Sequence, residues 1–305
     1  MKLHETRIEQ EKRTVIITGA TGGLGKAFAV ECASRGWNLL LSDRSPRSLD
    51  TLAEGLSAGY AVRVLTFPAD LCNPASRTVL FTALRESPLQ ADTLINVAGI
   101  DMEGLFMEQS ARALTDIVRL NIEGTLDVTR NCLPLRDPTR RFFIINVASL
   151  AAFYPMPYKA TYAASKRFLV DWSCALGEEL RGENVSVTVL CPAGMPTHAE
   201  CIRSIESQGI AGQLTTVCPG RVADMTLDAA LKGQAVVIPG AVNQVLRVLG
   251  PGEILGYRPL LANELYASSA ESVEDSILCA IPATMIRSLL REMPDFAAEL
   301  LAKLA

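Results

Sequence analysis

The sequence predicts an α/β protein: a doubly wound parallel sheet of about seven strands, with helices on both faces and an extended C-terminal cap. Three observations predict it. Short β-branched or Leu-rich runs alternate with longer helix-like segments from Thr14 onward. These runs are almost continuously hydrophobic, as strands covered on both faces require. The first run ends in a glycine cluster that leads straight into a helical pattern. The length of 305 residues accommodates this as one large domain with surplus chain at both ends.

In order, the runs are TVIIT at 14 to 18, NLLLS at 38 to 42, AVRVLTF at 61 to 67, DTLIN at 92 to 96, RFFIINV at 141 to 147, VSVTVLC at 185 to 191 and QAVVIPG at 234 to 240. They define one continuous unit over residues 14–240, with a polar arm over 1–13 and a cap extension over 241–305. In such sheets ligands bind beyond the carboxyl ends of the strands, so the residues just after each run are the candidates for chemistry.

The composition narrows the function classes. With 49% hydrophobic and 20% charged residues, disorder is excluded as the dominant state, and a net charge of -4 argues against nucleic acid as a partner. Eight cysteines are scattered without a C-x-x-C pair and only His4 and His198 are present, so neither a metal site nor a disulfide framework is expected. The N-terminus lacks an apolar leader and no apolar stretch reaches the roughly 18 residues a membrane helix needs. A cytoplasmic protein without a membrane span is the expectation.

The loop after the first strand reads Thr18-Gly19-Ala20-Thr21-Gly22-Gly23-Leu24-Gly25. Glycines here allow a tight turn and close approach of backbone to a pyrophosphate, and the helix N-terminus offers free N–H groups to the anion. Gly19, Thr21, Gly22, Gly23, Leu24 and Gly25 are therefore candidate cofactor contacts. Asp43 follows the second strand, where a carboxylate accepts hydrogen bonds from adenosine ribose hydroxyls and favours NAD(H). Its neighbour Arg44 suits a 2′-phosphate and keeps NADP(H) open.

Tyr162 and Lys166 stand four apart, on one face of a helix. A nearby ammonium stabilises phenolate, which brings a phenol of ordinary pKa about 10 closer to working pH as an acid/base. Ser149, just beyond the fifth strand, completes a catalytic constellation.

With these parts together the sequence resembles the short-chain dehydrogenase/reductase family over roughly residues 14–240, implying a Rossmann-type sheet. The loop matches the family's T-G-x-x-x-G-x-G and also the T-G-x-x-G-x-x-G of its extended, epimerase-like branch. Asn96-Val97-Ala98-Gly99 is similar to the N-N-A-G of the short oxidoreductase branch, with Val97 in place of the second Asn. The resemblance implies that Asp70 and Leu71 lie at the adenine, that Asn96, Ala98 and Gly99 border the cofactor, and that Asn121 completes a tetrad by bending a helix and holding a water. It implies that Pro192, Gly194 and Thr197 hold the nicotinamide side, although the glycine stands one place later than in relatives, and that Tyr162 and Lys166 also contact the cofactor, Lys166 at the nicotinamide ribose.

The implied reaction interconverts a ketone and a secondary alcohol, with hydride exchanged at nicotinamide and a proton at Tyr162. A bulky lipophilic substrate is expected from the apolar C-terminal segments, with a hydroxysteroid as the best single guess. A nucleotide-sugar epimerase or dehydratase with tightly held NAD, and a non-catalytic NAD sensor, are the alternatives; the Asn96-Val97-Ala98-Gly99 turn opposes the first, and intact Tyr162 and Lys166 oppose the second. Relatives pair through two long helices, expected here over 107–133 and 158–181, so a homodimer or homotetramer is anticipated. An apolar stripe of Leu114, Ile117, Val118 and Leu120 suits either that contact or the sheet.

Overall fold

In the computed structural model, the described residues are 12–137, 139–153, 155–196 and 216–240. The chain divides into two compact units, Met1–Val248 and Leu249–Ala305. The cap expected over 241–305, together with Thr197 and His198, lies outside the described residues.

Seven parallel strands form one sheet: β1 (Thr14–Thr18), β2 (Asn38–Asp43), β3 (Val64–Pro68), β4 (Thr93–Asn96), β5 (Phe142–Val147), β6 (Val185–Leu190) and β7 (Val236–Val237), in the order β3-β2-β1-β4-β5-β6-β7. The order reverses direction between β1 and β4, which creates the crevice where such sheets take ligands. The third and seventh strands are shorter than the hydrophobic runs predicted. β7 is two residues long and pairs only with Val189 and Leu190 of β6.

Alternate residues of each strand feed two cores, as the period-2 geometry of a strand demands. Val15, Ile17, Leu39, Leu41 and Ile145 point to one face, where they pack with Phe28 of α1 (Gly23–Ser34), Leu49 of α2 (Pro46–Gly59) and Leu227 of α7 (Pro219–Leu231). Ile16, Leu40, Leu94 and Ile144 point to the other face. They meet Leu80 and Phe81 of α3 (Pro74–Arg85) and Val128 and Cys132 of α5 (Thr125–Cys132).

The first predicted long helix is divided. It runs as α4 (Ala111–Val118), a π-helical segment (Arg119–Gly124) and α5. It starts at 111 rather than 107 because the Ser110 side chain caps it, its Oγ accepting from the Ala113 N–H at 3.2 Å. Its apolar stripe does not all turn inward: Ile117 is buried, whereas Val118 is 43% exposed. The second long helix, α6 (Ala160–Glu179), begins after Tyr158, whose φ of 66° breaks helical geometry. No helix among the described residues is long and apolar enough to cross a membrane.

Candidate active site

The glycine loop closes β1 onto α1 with little room to spare. Gly19 has φ +64°, and a Cβ there would stand 2.7 Å from the backbone of Ala98. At Gly25 a Cβ would lie 2.1 Å from the Gly19 carbonyl oxygen, so only glycine allows helix and turn to meet. Gly22 is the N-cap of α1 and offers no side-chain cap, which leaves the first N–H groups of the helix, those of Gly23, Leu24 and Gly25, for an anion. Asp43 is tied to this loop: its Oδ2 accepts from the Thr21 N–H at 3.0 Å and its Oδ1 from the Arg44 N–H at 2.7 Å. The carboxylate therefore stands at the edge of the phosphate cradle, with Arg44 exposed beside it.

The adenine-side candidates are fixed by local bonds. The Asp70 carboxylate accepts from the Cys72 N–H at 2.9 Å, and Leu71 is buried with its carbonyl accepting from Arg77 at 2.6 Å. Arg77 also donates to Asp127 at 2.7 Å and to Glu123, so one buried guanidinium joins the turn after β3 to the π-helical segment.

Asn96 takes a different place from the one expected. Its side chain is buried and donates to Thr129 at 3.0 Å and to Asn146 at 2.9 Å, and Asn146 donates to Ser173 at 2.9 Å. This polar ladder ties β4, β5, α5 and α6 together just below the site. The side chain acts on the cofactor crevice by holding strand ends, while the crevice wall itself is Ala98 and Gly99. Ala98 accordingly donates its N–H to Thr18 Oγ1 at 3.4 Å.

Two members of the predicted tetrad, Asn121 and Tyr162, are linked through Ser165. Asn121, fully buried in the π-helical segment, accepts from the Ile100 N–H at 2.9 Å and donates to the Ile100 carbonyl at 3.1 Å and to Ser165 Oγ at 3.0 Å. Ser165 in turn donates to the Tyr162 carbonyl at 2.7 Å. Lys166 lies one turn after Tyr162, its Nζ 5.7 Å from the Tyr162 ring centroid and donating to the Val147 carbonyl at 2.9 Å. Burial pushes the Lys166 ammonium down to about 8, opposed by the Asp101 carboxylate. Ser149 stands two residues beyond Val147, ahead of the short turn Leu150–Phe153, with its Oγ accepting from the Ala151 N–H at 3.2 Å. Pro192 is buried after β6 and accepts from the Leu150 N–H at 2.9 Å, while Gly194 is exposed.

Two independent features fit a dinucleotide. One is the uncapped N-terminus of α1 facing the glycine turn. The other is Gly99, where a Cβ would come within 3.1 Å of Asn121 Oδ1 and 3.2 Å of Lys166 Nζ, so its missing side chain keeps the space beside the lysine open. Among the described residues no cluster of His, Cys, Asp or Glu can hold a metal ion.

The sequence reading missed Ser165, Arg77, Asp101 and Lys159. Ser165 carried a signal, since it precedes Lys166 and falls three residues after Tyr162. Arg77 did not, because its acidic partners are 46 and 50 residues away.

Comparison with known proteins agrees with this geometry. The family model for short chain dehydrogenases matches residues 13–204, and a model for a cyclic nucleotide-binding domain matches residues 230–293. A very-long-chain 3-oxoacyl-CoA reductase of Phaeosphaeria nodorum is 33% identical over 193 residues, covering 62% of this chain and 53% of that protein. The chain thus spans about half the length of the curated relatives it matches. A short-chain dehydrogenase from Sphingobium yanoikuyae in complex with NADPH superposes with a TM-score of 0.66 at 27% identity, over 85% of this chain and 98% of that one. A 3-oxoacyl-[acyl-carrier protein] reductase from Brucella melitensis with bound NAD shares the fold, with a TM-score of 0.66 at 24% identity over 76% of this chain and 91% of that one. With its family model matched over well more than half its length, the chain belongs to the short-chain dehydrogenase family.

Proposed function

We propose that the protein is an NAD(P)(H)-dependent oxidoreductase that interconverts a ketone and a secondary alcohol, and that its substrate is a 3-oxoacyl thioester or the corresponding hydroxyacyl thioester. The observation that carries the reaction type is the buried Lys166 beside Tyr162, held by the Val147 carbonyl and backed by the Asn121–Ser165 bridge. A bound nicotinamide supplies or accepts the hydride. Ser149 hydrogen-bonds the substrate carbonyl, Tyr162 gives it a proton or takes one away, and Lys166 favours the anionic phenol by its charge. Asn121 fixes the helix phase that places the pair.

The thioester reading rests on the names of the curated relatives, and it replaces the hydroxysteroid as the first substrate to test. NAD(H) is the proposed preference because the Asp43 carboxylate, tied to the glycine loop at the end of β2, would repel a 2′-phosphate held beside it. Following NADH and NADPH oxidation with acetoacetyl-CoA, a long-chain 3-oxoacyl-CoA, a steroid ketone and a sugar ketone tests all of this at once. Turnover of the acyl thioesters supports the reading, and turnover of the steroid or sugar alone overturns the substrate class.

A second reading concerns the C-terminal residues. The match of 230–293 to a cyclic nucleotide-binding model favours a ligand-binding module in these residues. Calorimetric titration of the full chain with cAMP and cGMP tests it: saturable one-site binding supports the module, and no heat with either nucleotide counts against it.

A further inference from the structure

The mechanism uses the lysine that follows Tyr162, but a second lysine precedes it. Lys159 lies one turn earlier, with its Nζ 5.9 Å from the Tyr162 ring centroid, against 5.7 Å for Lys166. The two differ in their partners. Lys166 is buried and donates to a carbonyl, whereas Lys159 is ion-paired to Asp101 at 2.6 Å and to Glu103 at 3.4 Å, both in the loop that follows the Gly99 turn. That loop is fastened to the start of α6 by the backbone as well, since the Gly104 N–H donates to the Tyr158 carbonyl at 3.0 Å, and the loop is braced within itself by the Gln109 side chain, which donates to the Gly104 carbonyl at 2.8 Å. Asp101 also acts through space on Lys166, whose ammonium it favours.

We propose that Asp101 and Lys159 are positioning residues for the acid/base step: Lys159 is a second cation beside Tyr162, and Asp101 is the counter-ion that Lys159 and Lys166 share. The assignment rests on Tyr162 as the acid/base of the proposed function. It adds that Lys159 and the loop carboxylate of Asp101 contribute, beside Lys166, to the charge felt by the phenol. Among the described residues, the charged and titratable groups facing the pair include Lys159 at the N-cap of α6, Lys166 within it, Asp101 and Glu103 from the loop after β4, and the Cys191 thiol after β6, which is itself pushed up to about 12 by burial and stays neutral at working pH. Asn121 and Ser149 add neutral dipoles.

Signs follow from charge alone. Lys159→Met removes a cation and frees Asp101, and both changes disfavour phenolate, so the titration of Tyr162 moves up by about 0.5 to 1 pH unit. Asp101→Asn removes an anion while Glu103 still holds Lys159, so the titration moves down by a similar amount. Lys159→Arg keeps the charge and restores the wild-type position. A general loosening of the loop predicts instead the same direction for both variants.

The test is a spectrophotometric titration of tyrosinate absorbance, taking the difference between each protein and its Tyr162→Phe counterpart, so that only Tyr162 contributes. Opposite shifts in Lys159→Met and Asp101→Asn, with recovery in Lys159→Arg, are the expected result. Shifts of one sign, or none, overturn the proposal. The pH profile of kcat/KM with acetoacetyl-CoA and NADH is recorded in parallel. If the absorbance shifts appear without turnover of that thioester, the substrate reading fails while the electrostatic assignment stands. If turnover survives in Tyr162→Phe, the acid/base assignment and this proposal fall together.

Discussion

At the amino ends of the strands Asp92 is buried between Arg13, at 3.5 Å, and Arg140, at 3.0 Å; at the carboxyl ends Lys166 is buried against a backbone carbonyl. Both groups feel the same force. Burial raises Asp92 above the usual carboxylate range and lowers Lys166 to about 8. The partners differ: Arg13 and Arg140 are ion-paired directly to Asp92, whereas the Asp101 carboxylate favours the Lys166 ammonium through space without an ion pair to it. Charge at the lower end meets opposite charge in direct ion pairs. Charge at the upper end is left undermatched, as perturbed ionisable groups at functional sites often are.

The largest effect belongs to the group that this undermatched cation serves. Tyr162→Phe is expected to lower kcat about 1,000-fold, within the range for a lost acid/base, with NADH affinity unchanged by fluorescence titration. Residual turnover within tenfold of wild type would break the contrast between the two ends.

Next comes stability. The ordinary value for Lys166 is 10.5 and the folded value about 8, so between these the unfolded chain binds more protons and stability rises with pH. Below about pH 8 the burial of the ammonium costs up to about 3 kcal/mol. Lys166→Met is therefore expected to be inactive yet more stable than wild type at neutral pH, with the gap closing as pH passes 8 and approaches 10.5. Denaturant titrations across that window measure it. A variant less stable at every pH would show that the lysine is a structural group after all.

A smaller change is expected at the cofactor edge. Asp43→Ser removes a carboxylate that sits on the Thr21 and Arg44 N–H groups and frees Arg44 to meet a 2′-phosphate. The ratio of kcat/KM for NADPH to that for NADH should rise about tenfold, equivalent to about 1.4 kcal/mol. The smallest effect is predicted at the lower end. Because Arg13 and Arg140 are each about a third exposed and can turn to water, Asp92→Asn should lower the unfolding free energy by only about 1 kcal/mol and leave kcat/KM unaltered.

Much of the cofactor half was legible from the chain because its determinants are contiguous. The glycine turn, the Asp43 that ends β2 and the strand-to-helix alternation each fit within a few residues, and local sterics dictate them. Tyr162 and Lys166 were legible for the same reason, being one helical turn apart. What escaped was long-range pairing of short polar side chains. Nothing near Asn96 announces that it spends its donors on Thr129 and Asn146, 33 and 50 residues away. The Lys159–Asp101 pair bridges 58 residues and depends on how one loop lies over one helix start. β7 is shorter than its apolar run because such a run shows only that a segment is buried, and its ladder covers just the last two residues of β6.

The π-helical segment Arg119–Gly124 acts as a phase adjuster in an otherwise continuous rod. A π turn holds one more residue than an α turn, so it shifts every side chain beyond it by about 100° relative to an uninterrupted helix. In an uninterrupted helix Ile117 and Val128, eleven residues apart, would share one face; the π turn rotates the downstream half, so Val128 and Cys132 join the core of Leu94 and Ile144 while Ile117 is buried on another side, and Asn121 reaches Ile100 and Ser165. Length, rather than residue type alone, is therefore encoded here: excising a single residue between 119 and 124 would leave a perfectly good α-helix with its two halves out of step, able to bury one apolar face or to aim the asparagine, but not both.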